Sequence, residues 1–238
     1  MNRHRLGLSI LALVIFLAPS GLATPAKSAT PGRRAAATKS QKAGPLLGRN
    51  LIANGGAETL DGAGAAGWEP KGTLPSASYG HTRGEWGRGV TAAPYAGRRY
   101  FRLSVPKGRE TIEFDQWVSV AAESMAIDSG RVEVTLSGWF GGLLDGPGTA
   151  QISAEFVDGR GAVQGAAESP EPEHLPKPAA GSASIVQQKV SSALPAGTRR
   201  IRVTLTGTNR KFADCADCKA LGLADNLSLV LSRVDAKP

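Results

Sequence analysis

An all-β fold, a β-sandwich or jelly roll, is the class this sequence predicts, and three observations predict it. Seven short apolar runs follow one another, several alternate apolar with polar residues, and turn residues separate them. The chain holds 30 Gly and 15 Pro, and no long stretch carries a helical period, so turns rather than helices punctuate it. A length of 238 residues accommodates one large all-β domain.

The strand-like runs are RYFRLSV (99–105), ETIEFDQWVSV (110–120), RVEVTLSGWF (131–140), AQISAEFVD (150–158), SIVQQKVSS (184–192), RRIRVTLTG (199–207) and DNLSLVLS (225–232). In the third run Val132, Val134, Leu136, Gly138 and Phe140 share one face, and Glu133, Thr135, Ser137 and Trp139 share the other. Ile201, Val203 and Leu205 point one way in the sixth. VDGRG (157–161) and LPAGT (194–198) carry the residues of tight turns. Val120–Gly130 is either a short helix or an irregular connection. Residues 158–184, rich in Pro and Ala with little to bury, read as a long loop inside the domain. A break between two domains is the weaker alternative, because too few strands precede it to close a core.

Ahead of the strands, residues 1–26 have the layout of a secretory signal peptide: Arg3 and Arg5, an uncharged apolar run from Leu6 to Ala18, then small residues. That run is shorter than the ~20 residues of a membrane span. Residues 27–49 read as a basic flexible linker, residues 50–233 as the domain and 234–238 as a tail. The formal charge of +8 is not spread evenly. Eight of the 28 basic residues precede residue 51 and no acid does, so the body is neutral. A nucleic-acid site is therefore not expected, and neither is a membrane span in the mature chain.

The segments NLIANGGAE…GW (50–68), SASYG, YAGRRYFRL, FDQWVSV, AIDSGRVEVTLSGWFGG, AQISAEFVDGRG, ALPAGTRRIRVTLTGTN and ADNLSLVL come in a recognisable order. Together they resemble secreted bacterial proteins whose domain opens on Asn-Gly-(Asp/Gly)-(Ala/Phe)-Glu and closes on Asp-Asn-(Leu/Val)-Ser-Leu. That group in turn resembles carbohydrate-binding modules with the galactose-binding-like jelly roll. The resemblance spans Asn50 to about Ser232 and implies a secreted, extracellular or periplasmic, non-catalytic module.

The same resemblance implies a structural Ca2+ held by Glu58, of the first motif, and Asp225, before the last strand. Calcium takes six to eight oxygen ligands, so two carboxylates and loop carbonyls suit it. Gly55 and Gly56 would let carbonyls turn inward. The competing reading has Glu58 accepting backbone amides and Asp225 capping a turn with Asn226.

Catalytic chemistry is scarce. His4 lies in the leader, and His81 and His174 have no acid or nucleophile at a suggestive spacing. There is no Gly-x-Ser-x-Gly and no phosphate loop, so an enzyme is not expected. Cys215 and Cys218, the only cysteines, are expected to form a disulfide in a secreted chain. Redox use would need a thioredoxin-like context and zinc two further ligands.

Aromatic platforms are what a glycan site needs. Trp68 reads as a packing residue of core or rim, and Trp86 as a platform on a Gly-rich loop. Trp117 and Trp139 both fall on polar strand faces, beside Asp115 and Glu133. If their strands share a sheet, the two indoles form the floor of a groove, with Asp115 or Glu133 accepting from sugar hydroxyls. The competing reading covers each ring with the N-terminal segment or with the loop of residues 158–184. Two functions follow: a binding module for extracellular polysaccharide or glycan, or a structural or adhesive surface protein with protein partners.

Overall fold

The computed structural model describes residues 45–79, 88–90, 93, 97–143, 148–172, 182–211 and 220–234. The chain divides into Met1–Gln41 and Lys42–Pro238, and every described residue belongs to the second unit. The expected signal segment, most of the basic linker, His81, Trp86, His174, Cys215 and Cys218 lie outside the described residues.

The strands are β1 (Leu60–Asp61), β2 (Gly64–Ala65), β3 (Ser76–Ser78), β4 (Arg88–Val90), β5 (Arg99–Val105), β6 (Thr111–Ser119), β7 (Val132–Leu143), β8 (Gly148–Asp158), β9 (Val163–Glu168), β10 (Ser182–Ala193), β11 (Thr198–Asn209) and β12 (Ala220–Arg233). One short helix, α1 (Ser124–Asp128), follows a 3-10 turn between β6 and β7. So the Val120–Gly130 connection is a single helical turn flanked by irregular backbone.

The order β3-β5-β12-β7-β10-β4 makes a six-stranded sheet, and β6-β11-β8-β9 a four-stranded one. Through β5, β6, β7 and β8 each successive strand changes sheet. The chain then turns back at the β8–β9 hairpin and retraces the path through β10, β11 and β12. A hairpin rolled up in this way is a jelly roll. The jelly-roll sandwich expected from the sequence is thus the fold.

Alternation explains which residues fill it. Ile201, Val203 and Leu205 of β11, Val134, Leu136 and Phe140 of β7, and Leu229 and Leu231 of β12 are fully buried in one core shared by the two sheets. Each such side chain contributes about 1.5–3 kcal/mol on burial. Trp68 joins that core edge-on to Phe101, with ring centroids 5.7 Å apart.

Two boundaries differ from the sequence reading. The domain starts before Asn50: Leu46 is buried, and Leu47 and Asn50 bridge to β12. Apolar Leu46 and Leu47 find the last strand, which charge counting could not reveal. Residues 158–184 are not wholly loop either, because Val163–Glu168 forms the edge strand β9 against β8. Its low apolar content suits a strand with one wet face and one open edge.

Candidate functional site

The outward face of the four-stranded sheet is built by period two. β6 contributes Thr111, Glu113, Asp115 and Trp117, and β11 contributes Arg200, Arg202, Thr204, Thr206 and Thr208. Gln151, Ser153 and Glu155 come from β8 and Glu168 from β9. Their inward neighbours Phe114, Val118, Val203 and Leu205 are core residues, which fixes the register, since a slip of one would bury the charges. Cross-strand pairing sets Trp117 against Arg202, Asp115 against Thr204 and Glu113 against Thr206.

All of these outward side chains except Asp115, Trp117 and Arg200 line an open groove of about 360 Å³. Arg202 is the one cation among its lining residues. Its Nη2 donates to Asp115 Oδ2 at 2.6 Å, and Nη1 lies 3.5 Å from Glu155 Oε2. The hydrogen bond with Asp115 raises the Arg202 pKa, so the guanidinium stays charged. Thr204 Oγ1 donates to the other oxygen of Asp115 at 2.8 Å. Gln151 Nε2 donates to Glu168 Oε1 at 2.7 Å. The free edge of β6 is closed by Glu69, whose amide donates to the Asp115 carbonyl and whose carbonyl accepts from the Asp115 amide.

Trp117, paired with Arg202 across the strands, flanks the groove without lining it and is half exposed at 50%. The Arg200 guanidinium lies over its ring, 5.1 Å from the centroid. Arg200 pairs with Ser119, two residues beyond Trp117 on the side away from the groove. A cation held on an indole face restricts the ring.

Trp139 lies elsewhere. β7 belongs to the six-stranded sheet, so Trp139 and Glu133 point from the opposite outer surface of the sandwich. The shared floor expected for Trp117 and Trp139 is therefore corrected: the two strands are in different sheets, with the core between them. Trp139 packs with Tyr100 against a small apolar cluster of Ala93, Ala183, Ile185, Leu221 and Leu223. Glu133 is six residues up the strand from Trp139, roughly 20 Å away. Trp117 stays half exposed, and Trp139 packs on neighbours of its own sheet, among them Ala183 at the end of residues 158–184.

Glu58 and Asp225 do converge. A Cβ added at Gly56 would lie 3.7 Å from Asp225 Oδ1, 3.7 Å from Glu58 Cγ and 3.9 Å from Asn226 Oδ1. Asp225 is fully buried. Burial pushes its carboxyl up to about 6, and the nearby Glu58 charge adds to the rise. Tyr79 Oη donates to Asp225 Oδ2 at 2.7 Å, and the Asn226 amide donates to Oδ1 at 2.7 Å. Burial and the Asp225 bond together drive the Tyr79 phenol far up. Glu58 Oε1 accepts from the amides of Arg98 and Arg99 at 2.8 and 2.9 Å. So the backbone-amide bonds of the competing reading are present, around an all-oxygen set that suits a hard cation in kind. Among the described residues no group of three or more His, Cys, Asp or Glu gathers.

Other residues do the stapling of the chain ends. Asn50 Nδ2 donates to the Leu227 carbonyl at 2.9 Å, and its Oδ1 accepts from Leu229 and Ile52 amides. The Leu227 amide donates to the Gly55 carbonyl at 2.9 Å. Any Cβ at Gly55 would collide with the Leu227 carbonyl, so glycine is required there by close approach. Gln116 is a second unexpected polar anchor: it points inward beside Phe114 and Val118, accepts from the Ala53 amide and donates to the Ala53 and Gly67 carbonyls. Arg202 and Thr204 were also missed, although the alternation of RRIRVTLTG carries them to the face of Asp115 once β6 and β11 pair.

No family model and no curated protein matches this chain. Among solved structures it is similar to TmCBM61 in complex with β-1,4-galactotriose, at 16% identity over 78% of this chain and 99% of that one, with a TM-score of 0.43. It is similar to a family 16 carbohydrate binding module at 19% identity, over 76% of this chain and 99% of that one, with a TM-score of 0.43. A third likeness, at 14% identity and a TM-score of 0.46, is to the enzymatically active domain of bacteriophage CBA120 tailspike protein 4, over 76% of this chain and only 21% of that one. Similarity at this level does not extend to ligand or activity.

Proposed function

We propose that this chain is a secreted, non-catalytic binding module whose ligand is an extracellular carbohydrate, taken up on the outer face of the four-stranded sheet. The observation that carries this is the half-exposed Trp117, paired across the strands with Arg202, beside a groove lined by hydroxyls, carboxylates and that arginine. A flat ring takes the apolar face of a pyranose, and the polar stripe takes its hydroxyls. Trp117 and Asp115 are the binding residues on this reading, with Arg202 and Thr204 holding the Asp115 carboxylate in place. Known carbohydrate-binding modules of similar fold, one of them solved with a galactotriose, accord with it. Shallow, solvent-open sites of this kind bind weakly, on the order of micromolar to millimolar.

Calcium enters as a stabiliser remote from the groove. The convergence of Glu58 and Asp225 around Gly56 supports it, because a cation there would offset two neighbouring carboxylate charges. Among the described residues no helix is long and apolar enough to cross a membrane.

A glycan array probed with the wild type and Trp117→Ala, each with and without EDTA, tests both parts. Binding lost in Trp117→Ala at an unchanged melting temperature is the expected result. No binding across the array by folded protein would replace this function with a structural or adhesive one. A melting curve indifferent to EDTA would remove the calcium.

A further inference from the structure

Resting on the glycan reading of this groove, we propose that its ligand class is a glycan bearing free amines, a polymer of 2-amino-2-deoxy sugars, in preference to neutral or acidic chains. The charges facing the groove from all four of its strands decide this. Glu113 and Asp115 stand on β6, Glu155 on β8 and Glu168 on β9, against Arg200 and Arg202 on β11. Arg202 is held by Asp115 and Glu155, and Arg200, which lies over Trp117, is not among the lining residues. The Glu113 side chain is exposed, with no hydrogen bond or ion pair to it among the described residues. Within the groove a bound chain therefore meets three carboxylates, Glu113, Glu155 and Glu168, against the already paired Arg202.

Hydrogen-bond polarity points the same way. Ionised carboxylates only accept, so a ligand here has to donate. Ammonium groups donate three times and carry the complementary charge, and hydroxyls donate once. Thr206 and Thr208 can donate to ring oxygens or accept from hydroxyls, and Thr204, whose proton goes to Asp115, accepts. Trp117 already attracts one cation to its face, which shows that the indole favours positive charge.

The test uses the full chain and four β-linked or α-linked oligosaccharides of equal length: glucosamine, N-acetylglucosamine, glucose and galacturonate. Affinities are measured calorimetrically, at a pH where the amines are protonated, in about 0.02 and about 0.3 M salt. The glucosamine oligomer is expected to bind on the order of ten-fold tighter than its N-acetylated counterpart at low salt, with the advantage shrinking at high salt. Galacturonate is expected to bind weakest. Glu113→Gln and Glu168→Gln, both checked for unchanged melting, should each narrow the amine preference. Trp117→Ala should abolish binding of the amine oligomer; binding that survives it is unspecific attraction and overturns the proposal. Equal affinity for glucosamine and neutral oligomers, all lost in Trp117→Ala, overturns amine selectivity and leaves the glycan site standing. No binding by any oligomer to folded protein overturns both.

Discussion

The two outer faces of this sandwich start from the same sequence signal and end in opposite roles. Trp117 and Trp139 both occupy polar positions in alternating strands. On the four-stranded sheet, Trp117 is surrounded by Asp115, Arg200 and Arg202, and half of it stays in water. On the six-stranded sheet, Trp139 is surrounded by Ile185, Leu221, Leu223 and Tyr100 and sinks into a second, small apolar cluster. Period two assigns a residue to a face of its own strand. What the neighbouring strands bring to that face decides between a platform and a packing residue.

That difference makes the largest prediction. Trp139→Ala removes the largest side chain packed on the Ile185–Leu223 cluster and leaves a gap that β-strand backbone cannot refill. Stability should fall by about 2–3 kcal/mol, less than for a fully buried Trp because the ring is partly exposed. Urea denaturation measures it, and the folded protein should bind glycan as before. A loss under about 0.5 kcal/mol would place Trp139 with Trp117 as an idle or ligand-facing ring.

Trp117→Ala is the reciprocal case. Stability should change by no more than about 0.5 kcal/mol, since a half-exposed ring on a solvated face gives up little burial. Glycan affinity should drop at least ten-fold, about 1.4 kcal/mol. Affinity electrophoresis in polymer-containing gels reads this directly. If both tryptophan variants lose stability and neither loses binding, the contrast between the faces is void.

How far this was legible in the sequence differs between core and site. Alternation in RVEVTLSGWF, AQISAEFVD and RRIRVTLTG located the core set, because burial of a complete face is a local, periodic demand. Strand order was not local. Which of β6, β7, β8 and β11 share a sheet depends on pairings between residues about 40 to 100 positions apart, so the two indoles could not be assigned to one sheet or two. Gln116 escaped for another reason: an amide among Phe114 and Val118 looks like a lapse in the pattern until Ala53 and Gly67 supply its partners. Glu58 in the opening motif and Asp225 in the closing one were legible as a pair of ends that meet. The hydrogen bonds that join those ends belong to Asn50, Gly55 and Leu227.

Arg202 sharpens the comparison within the outer face of the four-stranded sheet. Arg202→Ala leaves Asp115 with the Thr204 hydroxyl and no cation, next to Glu113 and Glu155. The pair is partly exposed, so stability should fall by only about 0.5–1 kcal/mol. Binding should weaken several-fold, because the Asp115 carboxylate loses the bond that orients it. Arg202→Lys restores charge but not the two-point grip on Asp115 and Glu155, and should recover part of the stability and little of the binding. Thermal melting together with titration of one glycan separates the two effects.

The smallest effect is expected away from both faces, at Asp128 and Arg199, and it calibrates the others. Asp128 ends α1, and its carboxylate receives Arg199 Nη2 at 2.7 Å and the Gly197 amide at 2.8 Å. The hydrogen bond from Arg199, then that from Gly197, holds the Asp128 carboxyl below its ordinary range. A carboxyl depressed in the folded state adds stability at pH values above its unfolded pKa of about 3.9, and that contribution disappears as pH falls through the lower folded value. Arg199→Ala should therefore shift the urea midpoint slightly at pH 7 and less at about pH 2, as Asp128 takes up its proton. The group is solvent-exposed, so the shift at pH 7 should be smaller than that of Arg202→Ala. A midpoint change equal at both pH values would mean that Arg199 acts through the packing of its methylene stem rather than through the ion pair.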